Sequence, residues 1–315
     1  MNAKKPKLSL EERRARRAER RAKQRAANAG RALKMHVARR AHEKEEGDAF
    51  ASKSQPAARD VTLPRLNIGC SGWFYWHWKD RFYPLGLKTS EWFQHYAKQF
   101  HTVELNAPFY SWPTVATVQS WTRQAGDTPF IYTVKVCELI THVKKFVRTR
   151  ELVKDFGFIE QLLKSHMGCF LFQLPPSFQY SPARLKRVLD QLDPARRNVV
   201  EFRHRSWWNP NVFKAFKKNN TIFCSCSGPR LPDELVQTSD EIYIRFHGTS
   251  RWYRHDYTPE ELAVWTKRIR QCKATRVWAY FNNDNDCHSI HNALELTRQL
   301  RETSLPHRAV RRARA

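Results

Sequence analysis

The stretch Asn198-Val199-Val200-Glu201-Phe202-Arg203-His204-Arg205-Ser206-Trp207-Trp208 begins as an apolar strand and ends in concentrated charge. Side chains of a strand alternate faces, so Glu201 and Arg203 point one way while Val200 and Phe202 point the other. A single such pair is most simply a salt bridge that locks a strand end. The arrangement recurs, however, at Glu104/Asn106, Thr133/Lys135, Arg245/His247 and Tyr280/Asn282/Asp284. Five apolar runs ending in polar residues at alternate positions predict a parallel barrel, which gathers the carboxyl ends of its strands around one pocket.

Working outward, short apolar runs predict strands over 66–70, 102–106, 130–135, 169–173, 198–203, 221–226, 241–247 and 276–282. Helices are predicted over 89–99, 114–124, 149–165, 182–191, 210–219, 231–238, 258–271 and 287–301, several with start signals such as Ser181-Pro182, Asn209-Pro210 and Thr258-Pro259-Glu260-Glu261. Eight strands, each followed by a helix, within residues 66–301 predict an α/β fold of the TIM-type (β/α)8 class. A doubly wound open sheet is the alternative, but Cys70-Ser71-Gly72-Trp73 is not the Gly-rich turn that such a sheet usually carries after its first strand.

The 315 residues carry a formal charge of +26, of which residues 1–60 hold +10 and residues 301–315 hold +4. The folded part is therefore basic as well, which favours an anionic small molecule or nucleic acid as partner. Residues 1–60 contain few apolar side chains larger than Ala. Ser9-Leu10-Glu11-Glu12 has the form of a capping box, so a solvated helix near 10–45 or a disordered arm is expected, dispensable for folding of the barrel. Lys4-Lys5-Pro6-Lys7 has the form of a nuclear-localisation patch, and residues 302–315 read as a basic tail.

The seven cysteines are scattered without a C-x-x-C, so neither a disulfide framework nor a zinc site is expected. No run approaches a membrane span and the N-terminus lacks an apolar signal region, so the expectation is an intracellular, cytoplasmic protein with no membrane partner. Oligomeric state is not legible.

Several motifs occur in one order: Ile68-Gly69-Cys70-Ser71-Gly72-Trp73, Thr102-Val103-Glu104-Leu105-Asn106, Phe109-Tyr110, Ile140-Thr141-His142, Phe172-Gln173-Leu174-Pro175-Pro176-Ser177-Phe178 and Val200-Glu201-Phe202-Arg203-His204. Arg245-Phe246-His247-Gly248, Tyr253, Tyr257 and Tyr280-Phe281-Asn282-Asn283-Asp284 complete the series. Together, across about 66–301, the chain resembles the YecE-like family, the domain of unknown function 72. The resemblance implies a TIM-type barrel and supplies no reaction. The chain departs from the commonest family form at Pro108 and Ser111, and at Asp286-Cys287-His288.

Read from the residues, Glu104, Glu201, His247 and Asp284 are the candidate catalytic groups, carboxylates and an imidazole suited to proton transfer. Lys135, His142, Arg203 and Arg245 suit an anionic ligand. Asn106, Tyr110, Gln173, Tyr253, Tyr257, Asn282 and Asn283 complete the candidate ligand-binding set, with aromatics able to stack a base. Trp76, Trp78 and Trp207 read as packing groups. Glu104, Glu201, His247 and Asp284 are also of divalent-metal-ligand type, but no H-x-H or H-E-x-x-H spacing supports a metal and no cofactor is assigned. The resulting expectation is a hydrolase or lyase acting on an anionic nucleotide or nucleic-acid-like substrate. The alternatives are a glycoside-processing barrel using Glu104 and Glu201, and a non-catalytic nucleic-acid binder.

Overall fold

The structure is a computed structural model and describes residues 9–50 and 65–302, so the Lys4–Lys7 patch and the tail beyond Glu302 lie outside it. A helix, α1 (Leu10–Phe50), precedes eight strands: β1 (Leu66–Cys70), β2 (Thr102–Leu105), β3 (Ile131–Lys135), β4 (Met167–Gln173), β5 (Asn198–Glu201), β6 (Ile222–Ser227), β7 (Glu241–Phe246) and β8 (Arg276–Phe281). All neighbours pair in parallel, in the order β1-β8-β7-β6-β5-β4-β3-β2. The nearly closed ring is surrounded by α2 (Trp92–Gln99), α3 (Ala107–Tyr110), α4 (Val115–Ala125), α5 (Arg150–Gly157), α6 (Ile159–Leu163), α7 (Pro182–Leu189), α8 (Pro210–Lys218), α9 (Pro259–Gln271) and α10 (His288–Glu302). The expected (β/α)8 barrel is the observed fold.

Strand parity divides the apolar residues into two bodies. Leu171, Val199, Ile222, Cys224, Tyr243, Trp278 and Tyr280 belong to one that fills the barrel interior. Phe202 and Phe246, one residue out of phase, belong to the other, between strands and helices. Phe246 meets Trp265 of α9 with ring centroids 5.3 Å apart, and Phe202 stacks on Trp207 at 3.8 Å. The helix starts read from sequence are made as expected: Ser181, Asn209 and Thr258 accept hydrogen bonds from the backbone N–H groups of Arg184, Val212 and Glu261.

The ring closes between β1 and β2 by a side chain. The Tyr96 hydroxyl of α2 accepts from Cys70 N at 2.9 Å and donates to Thr102 O at 3.0 Å, standing where a ladder bond would. Gly69 permits this approach, since a Cβ there would lie 2.4 Å from Thr102 O. Tyr96→Phe is expected to lower stability by about 1–3 kcal/mol, the cost of a buried N–H left without an acceptor. Urea denaturation measures it, and an unchanged midpoint would show that the seam closes by packing alone.

Two expectations need correction. Residues 231–238 form no helix. The segment instead runs along the outside of β6, held by side chains: Val236 N donates to Ser225 Oγ at 2.9 Å, Phe223 N to Thr238 Oγ1 at 2.9 Å, and Thr238 Oγ1 to Thr221 O at 2.7 Å. Serine and threonine facing outward on and beside β6 thus offer backbone partners that a helix could not use.

The N-terminal helix is not merely solvated. It begins with the expected capping box, Glu12 N donating to Ser9 Oγ and Ser9 N to Glu12 Oε2, but one face then docks on the barrel. Ala32 and Met35 are buried. Asn28 donates from Nδ2 to Tyr110 O at 3.1 Å and accepts at Oδ1 from Trp112 N at 2.9 Å. Arg31 Nη1 donates to Ser111 Oγ, one of the positions at which the chain departs from the common family form. Two buried carboxylates of the barrel receive counter-ions from the helix: Glu138 from Arg25 (2.9 and 3.1 Å) and Arg21 (3.2 Å), and Asp155 from Arg39 Nε (2.8 Å) with His36 at 3.0 Å. Burial opposes ionisation of Glu138, but the Arg25 and Arg21 guanidiniums prevail and hold its carboxyl below the usual range.

Candidate functional site

The carboxyl ends of β2, β5 and β7 bring together Glu104, Glu201 and Arg245, each fully buried. Arg245 lies between the two acids: Nη1 donates to Glu201 Oε2 at 2.6 Å and Nη2 to Glu104 Oε1 at 2.6 Å. Glu104 also accepts from Ser71 Oγ at 2.7 Å and from the Tyr243 hydroxyl at 2.5 Å. The other oxygen of Glu201 accepts from Arg203 Nε. Burial works against charge on Glu201, yet the guanidiniums of Arg203 and Arg245 hold its carboxyl well below the ordinary range. Both acids are thus ion-paired to Arg245 in this arrangement.

His247 is likewise fully buried. Desolvation, then the charges of Arg203 and Arg245, hold its pKa well below the ordinary 6.5. This favours the neutral ring and works against the expected proton exchange near neutral pH. Arg203 Nη2 donates to His247 Nε2 at 3.0 Å. On the other side of the ring the Asn282 amide Nδ2 lies 3.3 Å from Nδ1.

Above this floor sits Lys135, at the end of β3. Its side chain is 8 % exposed, and its amine has neither carboxylate nor hydrogen-bond acceptor among the described residues. It lies over the Phe109 ring at 4.1 Å. Desolvation, then the positive charge of Arg245, lowers its pKa to about 7. His142, in the short helical turn Leu139–Val143, packs edge-on against Phe109 at 4.9 Å. Burial and the neighbouring Lys135 push its pKa down to about 4.

The remaining candidates divide. Arg203 lies under Trp252, guanidinium carbon to ring centre 4.5 Å. Tyr253 stands edge-on to the His247 ring at 5.9 Å and is half exposed, as is Tyr110. Gln173 reaches the mouth but donates to Leu174 O at 2.7 Å, and Asn106 donates to Ser71 O at 3.0 Å across the β1–β2 seam. Tyr257, Asn283 and Asp284 do not join the cluster. The Tyr257 hydroxyl donates to Ser227 Oγ and accepts from Gly248 N, both at 2.8 Å. Asn283 is buried and donates to His255 O and Asn292 Oδ1. Asp284 is bound by His77 Nε2 (2.8 Å), Trp78 Nε1 (2.7 Å) and Ser289 Oγ (2.7 Å), which ties the first loop to α10. These three hold loops in place. Ser71 and Tyr243, which complete the Glu104 shell, were missed by sequence reasoning. Tyr243 was legible as the residue two before Arg245 on the same strand face.

Trp78 and Trp207 are fully buried packing groups as expected, whereas Trp76 is exposed. Glu201, Cys226 and His247 place metal-ligand atoms within 4.8 Å of one another. Both Glu201 oxygens already accept from guanidiniums, whose charge opposes a cation there. A cleft of about 290 Å³ opens at the opposite, amino end, beside Arg196, Arg197, Ile222 and Glu241. Glu241 there is fully engaged by Arg197, Arg276 and Trp278, as befits the end of a barrel that serves stability.

With the fold and cluster in place, comparison with known proteins is decisive: the family model "Protein of unknown function DUF72" matches residues 67–314. The chain belongs to the DUF72 family. A curated relative, the UPF0759 protein YunF of Bacillus subtilis (strain 168), is 25% identical over 269 residues, covering 73% of this chain and 93% of the relative. The crystal structure of a DUF72 family protein of Thermotoga maritima MSB8 is similar with a TM-score of 0.69 and 26% identity, covering 76% of this chain and 100% of the other. A DUF72 family protein of Enterococcus faecalis V583 has a TM-score of 0.64 at 19% identity, covering 77% and 96%. Helix α1 precedes the stretch that the DUF72 model matches. No helix among the described residues is long and apolar enough to cross a membrane.

Proposed function

We propose that this DUF72 protein is an enzyme of the hydrolase or lyase type acting on an anionic, nucleotide-class substrate at the carboxyl-end mouth of the barrel. Lys135 is its proton-transferring group and Arg203 its anion clamp. The observation that carries this reading is a buried lysine without a carboxylate partner, its pKa lowered to about 7. An amine poised there is present in both protonation states near neutral pH, the condition for efficient general acid–base exchange. Arg203 spends Nε on Glu201 and Nη2 on His247. Its Nη1 has no protein acceptor among the described residues and suits a phosphate or carboxylate oxygen. Arg245, Glu201 and neutral His247 are positioning residues that fix the Arg203 fork. A glycoside mechanism on Glu104 and Glu201 is less well supported, because both carboxylates are committed to Arg245.

The test is direct titration of the Lys135 amine by heteronuclear NMR, with inorganic phosphate as probe ligand. An apparent pKa near 7 that rises on phosphate binding is the expected result, and loss of phosphate binding in Arg203→Met should accompany it. Titration in the ordinary lysine range near 10.5 would overturn the assignment. Stability supplies an independent check. Because the folded-state pKa lies below the unfolded value, the unfolded chain binds more protons between about pH 7 and 10.5, so Lys135 makes stability rise across that window. Lys135→Met should flatten this rise and be neutral or stabilising at pH 7 in urea melts.

A further inference from the structure

The docked face of α1 carries Arg21, Arg25, Asn28, Ala32, Met35 and Arg39 at spacings of three and four residues. One face of a helix continues at those intervals. Followed toward the N-terminus, it passes through Arg17 and Arg14, flanked by Arg16 and Arg20. The helix engages the barrel from Arg21 onward, that side chain reaching Glu138 and lying over the Tyr110 ring at 5.4 Å. The eleven residues before it extend about 16 Å beyond the rim at 1.5 Å per residue. Arg14, Arg16, Arg17 and Arg20 are all exposed and have no carboxylate partner among the described residues.

Glu138 lies just beyond β3, so the overhang projects from the carboxyl-end rim, on the side of the mouth. Positive groups continue inward from it. His142 feels the charges of Lys135, Arg21 and Arg203 against that of Glu138, so it lies along a run of positive groups between helix and mouth. Glu138 is neutralised by Arg21 and Arg25. Half-exposed Tyr110 and Tyr253 stand beside this run.

We propose that the overhanging face of α1 and the adjoining rim form one binding surface for single-stranded nucleic acid. Arg14, Arg17 and Arg20 contact successive phosphates, and Tyr110 offers a stacking face at the point where the helix meets the rim. A cationic track with adjacent exposed rings is the composition that binds single strands without sequence preference. A duplex keeps its bases paired and gives the Tyr110 face nothing to stack on. This surface goes beyond the anionic-substrate reading and stands whether or not Lys135 performs chemistry.

Binding of a fluorescein-labelled single-stranded oligonucleotide of mixed sequence to the full chain, followed by anisotropy over a salt series, tests the proposal. The triple variant Arg14→Gln/Arg17→Gln/Arg20→Gln should weaken binding and make the slope of log affinity against log salt shallower by about 2, at roughly 0.7 for each phosphate that is no longer neutralised. The control Lys214→Gln/Lys217→Gln/Lys218→Gln removes three charges from α8 and should leave the slope unchanged. Tyr110→Ala should weaken single-strand binding several-fold at constant slope. Equal slope changes in the two triple variants, equal affinity for duplex of the same sequence, or binding to anionic phospholipid vesicles without binding to the oligonucleotide would each overturn the proposal. The Lys135 titration on the unaltered chain is a separate readout: a Lys135 pKa near 10.5 with oligonucleotide binding intact, or a pKa near 7 without that binding, tells failure of the catalytic reading from failure of this one.

Discussion

Arg245→Met is expected to lower the stability of the folded chain by about 3–5 kcal/mol, the cost of leaving buried charge without its partner. Glu201 would keep Arg203, but Glu104 would retain only the Ser71 and Tyr243 hydroxyls. Adding Glu104→Gln, which removes the orphaned charge while keeping its shape, should recover part of the loss. The acid limb carries a second signature. Glu201 has a folded-state pKa well below 4.5, so its stabilisation is fully present above that value and is lost as pH falls through the folded-state value. Without Arg245 the loss should begin at higher pH. Urea denaturation between neutral and acid pH measures both effects; a stability change within error would show that the guanidinium only fills space.

Starting the chain at Arg65 is expected to destabilise it as well, contrary to the sequence-based expectation of a dispensable arm. Losing Met35 and re-exposing the barrel surface at Trp112 and Phe158, which the helix meets through Asn28 and His42, costs about 3–5 kcal/mol at the usual rate for large side chains. At this size that corresponds to roughly 10 °C in Tm. Arg39→Ala in the full chain should reproduce part of the effect, since Asp155 would keep only His36 of its two partners on the helix. Thermal unfolding followed by circular dichroism gives the answer, and identical Tm values for long and short chains would return the helix to the role of a solvated arm.

The barrel was legible because its signal is local. Each strand declares its two faces through alternation, and Phe202 and Phe246 pack outward as their parity requires. The docking of α1 was harder to read because the stripe Asn28, Ala32, Met35 and Arg39 is built mostly from small, polar and charged groups, with Met35 its one large apolar member. Residues 231–238 misled for the converse reason: their apolar positions fit a helix, while the serine and threonine hydroxyls that hold them extended answer to no periodic pattern. At the site, parity identified which side chains face the mouth but not their state of charge. Glu104 and Arg245 meet across 141 positions of sequence, and that ion pair, with the Ser71 and Tyr243 hydroxyls, has no signature in the alternation of one strand. Lys135 was legible as a cation at a strand end. Its lowered pKa depends on burial and on the charge of Arg245, both properties of the assembled barrel.

The pairing of α1 with Glu138 and Asp155 also sets a timetable for biosynthesis. Arg25 precedes Glu138 by 113 positions and Arg39 precedes Asp155 by 116. At about 5–20 residues per second on the ribosome, the helix waits roughly 6–23 s before the carboxylates that neutralise it have been made. Throughout that interval its arginines are without those partners while the nascent chain is tethered beside ribosomal RNA. Release from that polyanion and closure onto the barrel become competing events, and formation of the strand that leads to Glu138 decides when the balance can turn.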